Sequence, residues 1–149
     1  MKKVDVSRPT TLVQGNDVYM LAGNYSRTAP TGGQESGADD SGIFLVKGRV
    51  STDGGKKIHW NDTHAVPCTV LNQQQESWTW LTGGGGSGVK LTEDTLLFPV
   101  EGTKRKDNTD EKSFLLIIYT LSSGTNSWKL SKGMSADSCG DPSVVEWKD

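Results

Sequence analysis

The run Phe114-Leu-Leu-Ile-Ile-Tyr119, followed by Thr120-Leu-Ser-Ser-Gly124-Thr-Asn-Ser-Trp128, decides how this chain folds. An unbroken apolar run this short suits a buried strand better than a helix. The Ser/Gly segment beyond it predicts a turn, which Trp128 closes. Next, Lys129-Leu-Ser-Lys-Gly133 predicts an irregular loop, and Asp141-Pro142-Ser-Val-Val-Glu146-Trp147 a second strand carrying one acid. Solubility alone does not explain a carboxylate between apolar neighbours on a strand. Glu146 is therefore a candidate functional residue.

The same punctuation extends toward the N-terminus. Thr10 to Gln14 and Val18 to Ala22 flank Gly15-Asn16-Asp17, a cluster suited to positive φ, and predict a hairpin. Ile43 to Val50 reads as a strand, and Ser51-Thr-Asp53-Gly54-Gly55 turns it toward Ile58-His-Trp60. Val89 to Leu91 and Leu96 to Val100 are further short strands around the turn Thr92-Glu-Asp-Thr95. Residues 24–41 are polar, with Pro30, Gly32 and Gly33, and predict a long loop or insertion. Two turns share a pattern: Ser51-x-Asp53-x-Gly55 ahead of Trp60, and Thr120-x-Ser122-x-Gly124 ahead of Trp128. A hydroxyl, a short polar side chain and a glycine can bond to one another there, and the aromatic beyond then fills the space between neighbouring strands. Short strands at even spacing predict an all-β sandwich, barrel or propeller.

Composition narrows the function classes. A chain of 149 residues fits one domain, and its net charge of −2 leaves no electrostatic footprint for nucleic acid or an anionic membrane. Lys104-Arg105-Lys106, followed by Asp107, Asp110 and Glu111, reads as a solvated hairpin tip. The two cysteines, Cys68 and Cys139, allow one bridge, whose formation their positions leave open. No spacing suggests a metal site or any cofactor, and His59 and His64 read as a surface pair. Met1-Lys-Lys-Val-Asp lacks the apolar core of a signal peptide, and no run has transmembrane length. Asn24-Tyr-Ser26 and Asn61-Asp-Thr63 are glycosylation sequons, which point to a secreted setting. Gly83, Gly85 and Gly88 spell G-x-G-x-x-G, but a dinucleotide site needs a preceding strand and a following helix. Here the glycines read better as points of close backbone approach or of exposed main-chain amides.

Several of these strings, taken in order, carry a resemblance. Arg8-Pro-Thr-Thr-Leu-Val-Gln-Gly15, Gly84-Gly-Gly-Ser-Gly-Val89, Leu97-Phe-Pro-Val-Glu-Gly-Thr103, Trp128-Lys-Leu-Ser-Lys-Gly-Met-Ser-Ala136 and Cys139-Gly-Asp-Pro-Ser-Val-Val-Glu-Trp147 resemble the trypanosomal trans-sialidase superfamily. The resemblance implies a six-bladed β-propeller, of which residues 1–149 would be a central part of about two to three blades. Thr120 to Trp128 would then be a degenerate Asp-box, with Ser122 where the aspartate usually sits. The family's chemistry is a retaining glycosyl transfer by a Tyr nucleophile. A carboxylate beside that Tyr accepts its proton, an Asp serves as acid/base, and three Arg grip the sialic acid carboxylate through their planar forks.

Of that catalytic set, the resemblance matches Glu146 alone, as the nucleophile's base. Glu101 falls where active members place a ligand-contacting Gln. Arg8 falls where they have an Asp that contacts sialic acid. Their acceptor-stacking Tyr-Trp pair has no counterpart in residues 24–41. The acid/base Asp and the first Arg would precede Met1, and the nucleophile and the other Arg would follow Asp149. The expected function is that of a fragment of a trans-sialidase-family protein, on the cell surface or secreted, not catalytic by itself. It would recognise sialylated glycoconjugates or host surface glycoproteins, meeting a membrane only through an anchor outside this chain. The alternatives are a segment of an active exo-α-sialidase or trans-sialidase using Glu146, and an unrelated all-β interaction module. Open blades would leave unpaired edges and an incomplete apolar interface.

Overall fold

The computed structural model describes residues 6–27, 40–67, 80–91, 95–105, 111–120 and 128–147. Two antiparallel sheets account for their regular structure. The first is a meander of β1 (Thr10–Gln14), β2 (Asp17–Arg27), β3 (Asp40–Val50) and β4 (Ile58–Pro67), in that spatial order. The second contains β5 (Trp80–Gly83), β6 (Val89–Lys90), β7 (Leu96–Arg105), β8 (Glu111–Thr120) and β9 (Trp128–Leu130), in the order β5-β7-β8-β9, with β6 also on β7.

Gln14 pairs with Asp17 across a two-residue connection, and Gly15 adopts φ +56°, as the hairpin required. At the next turn Asp53 Oδ1 accepts the Gly55 N–H at 3.0 Å, and Ser51 Oγ accepts the Lys57 N–H at 3.2 Å. The Gly55 amide, and next the Ser51 hydroxyl bonding to Asp53 itself, favour the ionised Asp53 and hold its carboxyl below the usual range. This turn is self-bonded as its sequence predicted. Trp60, however, does not fill an inter-strand gap. It lies over Gly48, where a Cβ would stand 2.7 Å from its ring, and it remains 46% exposed.

The sheets pack face to face. Register sets Leu12, Tyr19, Leu21, Ile43 and Leu45 on one inner face, against Leu81, Phe98, Val100, Leu116 and Ile118 on the other. Trp128 is buried beside Phe98, ring centroids 6.1 Å apart, and so closes this core as the sequence implied. Thr120 and Trp128 pair across β8 and β9. The Asp-box residues between them, Ser122 included, lie outside the described residues.

Strands outrun their apolar cores. β2 extends to Arg27 and β3 begins at Asp40, so the ends of the expected 24–41 loop are strand, and 28–39 lie outside the described residues. Pairing sustains these polar ends, because the ladder needs only main-chain groups. Two register shifts interrupt it. One places Gly23 at φ +64° with its N–H on Ser7 O at 3.1 Å; the other leaves Asn61 as the extra residue between Lys47↔Asp62 and Gly48↔Trp60. Lys104, expected in a solvated tip, is instead half-buried over the Phe114 ring at 6.0 Å, and that burial lowers its pKa.

Candidate functional site

Arg8 precedes a proline, a position that disfavours the right-handed helical region, and it adopts φ +47°. Gly83 makes that conformation possible from the opposite side: a Cβ there would stand 2.4 Å from the Arg8 carbonyl oxygen. Thr10, fully buried, accepts the Gly85 N–H on its hydroxyl at 3.1 Å. Gly86 O accepts from Thr11 N–H at 3.3 Å, and Gly88 N–H donates to Thr11 O at 2.8 Å. The glycine run is thus the seam joining β1 to the second sheet, and it leads into β6 rather than a helix.

The C-terminal segment closes over the same seam. After β9 it follows the outer edge of β8 without forming a strand. Ser131, Ser135 and Ser138 donate their N–H groups to the carbonyls of Ile117, Leu115 and Ser113. The hydroxyls of Ser131 and Ser135 accept the N–H groups of Ile117 and Leu115, at 3.1 and 2.9 Å. Lys112 and Asp137 form an ion pair farther along. The segment then crosses toward the glycines, where a Cβ on Gly84 would stand 2.6 Å from Pro142 O.

Three distant pieces of chain therefore meet at Arg8. Its Nη1 donates to Glu101 Oε2 of β7 at 2.7 Å, and its Nη2 to Asp141 Oδ1 of the C-terminal segment at 2.6 Å. The Glu101 side chain is only 15% exposed, whereas that of Asp141 is 91% exposed. Asp141 adopts φ +53°, a conformation that Asp tolerates better than most residues. One cation and two carboxylates leave the cluster net anionic, with guanidinium donors and carboxylate acceptors still available at its rim.

Beside it lies a cleft of about 610 Å³. Pro99, Leu115 and Ile117 line it from the sheet, Met134, Pro142 and Val144 from the segment, and Asp141 stands among its polar residues. Of the residues singled out from sequence, Arg8 and Glu101 are brought together. Glu146 sits exposed two residues beyond Val144. The strand expected over Asp141–Trp147 is not formed, because a strand needs a ladder partner and no described strand pairs with it. Asp141 was not anticipated as a partner of Arg8; a charged residue before a proline was its single signal. Asn61 is exposed, Asn24 lies in β2, and Cys139 carries a free thiol. Cys68 lies outside the described residues.

Comparison with known proteins gives these features a context. The sequence matches a BNR repeat-like domain over residues 1–149. It is 31% identical over 153 residues to sialidase 85-1.1 of Trypanosoma cruzi, covering 99% of this chain and 20% of that protein. A second T. cruzi sialidase is 30% identical over 146 residues, covering 94% of this chain and 12% of the relative. The fold superimposes on a Trypanosoma rangeli sialidase solved with 2,3-difluorosialic acid as a covalent intermediate, with TM-score 0.70 and 25% identity over 99% of this chain and 24% of the other. The chain thus spans about a fifth or less of the length of these curated relatives.

Proposed function

This chain belongs to the BNR repeat-like domain family, within the trypanosomal sialidase/trans-sialidase superfamily, and on that premise we propose that it recognises glycans without catalysing their turnover by itself. Its all-β sheets are part of a sialidase-type six-bladed propeller. The observation that carries the reading is the Arg8–Glu101–Asp141 cluster. Where the resemblance implies an acid facing sialic acid in active members, Arg8 stands, and two carboxylates already engage its guanidinium. Remaining donors and acceptors beside a cleft suit a hydroxyl-rich ligand, because each sugar hydroxyl both donates and accepts. Glu146, the one matched catalytic position, has no described nucleophile beside it. The relatives' names and the sialic acid analogue bound by the T. rangeli enzyme support sialylated glycoconjugates as the ligand class. A cell-surface or secreted setting, with host glycoproteins as partners, accords with the two sequons.

The test is to place residues 1–149, unchanged, in a complete sialidase-family protein. Sialylated glycan binding without release or transfer of sialic acid is expected. Measurable turnover would overturn the non-catalytic reading. In that event Glu146→Gln should lower the rate by orders of magnitude if Glu146 activates the nucleophile.

A further inference from the structure

Arg8 and Asp141 are two of the four non-glycine positions at positive φ among the described residues, and they hold each other. Backbone persists in that region where its surroundings over-determine it, and such positions gather at ligand sites. Here the surroundings are two adjacent glycines. Gly83 closes on the Arg8 carbonyl oxygen, and Gly84 on that of Pro142, the residue after Asp141. The backbones carrying the cation and the exposed anion are thus fixed before any ligand arrives, which lowers the ordering cost of binding.

The charges of the cluster decide what it can take. Nη1 and Nη2 of Arg8 are already on Glu101 and Asp141, so the parallel pair of N–H groups that grips a carboxylate is occupied. A ligand carboxylate would bring a third anion to a single cation. The neighbouring cleft offers it no other: Asp141 is the one charged residue in its lining, beside the hydroxyls of Ser131, Ser135 and Ser143. Like charges repel more strongly in a partly desolvated site than in water. A neutral sugar meets the opposite situation. Its hydroxyls donate to the carboxylate oxygens and accept from guanidinium N–H groups, while its C–H face packs on Pro99, Met134 and Pro142.

We infer that the Arg8–Glu101–Asp141 cluster binds a neutral sugar of a glycan and discriminates against an acidic one. This rests on the glycan recognition proposed above and narrows it. Within a sialylated glycoconjugate, the unit held here is a neutral hexose or N-acetylhexosamine, and Glu101 and Asp141 set that specificity.

The test measures a complete sialidase-family protein carrying residues 1–149 against an array of sialylated oligosaccharides, and against the same array after desialylation. Asp141→Asn is the leading variant, because that side chain is 91% exposed and the fold does not rely on its burial. Glu101→Gln is the more buried counterpart. Each should weaken binding to the desialylated array about tenfold, the order expected when a hydrogen bond to a charged group is lost. Each should weaken binding to the sialylated array less, since the charge removed is one that repelled the ligand's carboxylate. Added salt should favour the sialylated array over the desialylated one more in wild type than in either variant, because screening acts on charge. A wild type that binds the sialylated array alone would overturn the neutral-sugar assignment and leave glycan recognition standing. Variants that weaken both arrays equally, or neither, would do the same. A wild type that binds neither array would overturn glycan recognition itself, and the assignment with it.

Discussion

Arg8 and Glu101 are 93 residues apart in sequence and 2.7 Å apart in the fold. Each occupies a position where the resemblance leads one to expect a different residue, and each supplies the other's partner. Glu101 is the more buried of the two, so it depends more on the pair. Arg8→Ala should therefore destabilise the chain by about 1–3 kcal/mol, the cost of leaving a half-buried carboxylate without its charged donor. Adding Glu101→Gln to that variant should recover part of the loss, since a neutral amide tolerates the site better. Chemical denaturation of the two single variants and the double variant measures the coupling; additive effects would show that the contact carries no net energy.

The glycine seam makes a sharper contrast. Gly83→Ala and Gly84→Ala would drive a methyl group to within 2.4 Å of the Arg8 carbonyl oxygen and 2.6 Å of the Pro142 carbonyl oxygen. Each should cost about 2–3 kcal/mol, because main chain must move on both sides. Gly133→Ala meets nothing within 4 Å and should be neutral or stabilising by up to about 1 kcal/mol. Equal losses at the three positions, in the same denaturation assay, would contradict the seam.

The Lys112–Asp137 pair gives a pH signature. Lys112 holds the Asp137 carboxyl below its usual range, first by its hydrogen bond and then by its charge, while the same bond and Asp137's charge hold the Lys112 ammonium above its own. The Asp contribution is present above the unfolded carboxyl pKa of about 3.9 and is lost as pH falls through the lower folded value. The Lys contribution is full below about 10.4 and is lost as pH rises through the higher folded value. The denaturation midpoints of wild type and Lys112→Met should differ by a constant amount near neutrality and converge in strong acid and strong base. High salt should shrink the gap, because both groups are exposed.

Asn61 is the extra residue of a register shift on a strand at the end of its sheet, and it is exposed. Expression through a secretory pathway should add one glycan there. Asn61→Gln should remove it, seen as a mobility shift abolished by glycosidase treatment. An unmodified Asn61 in a secreted preparation would count against a secretory setting for the parent protein.

What the residues announced in advance were local devices. Gly15 needed a positive φ, Ser51 and Asp53 could bond their own turn, and Trp128 was apolar where a turn had to close. The ends of β2 and β3 were not legible, because cross-strand pairing rather than burial holds polar residues there. Trp80–Gly83 and Trp128–Leu130 are too short to show alternation. The Glu146 segment has the apolar residues of a strand but pairs with no described strand. As for the site, Arg8 and Glu101 were each conspicuous alone, and Asp141 was not. The contact between Arg8 and Asp141, 133 positions apart, had no local signal at all.

The serine-lined margin of β8 has one more consequence. Open sheet margins act as templates on which foreign strands are recruited, the first step of fibril growth. Along Leu115 and Ile117 the amides bond to hydroxyls, and the carbonyls to a chain that bulges between its contacts. A newcomer strand would have to displace Ser131 and Ser135 before it could add to that margin. The molecule is thus blunted against templated growth at that margin by side chains rather than by another strand.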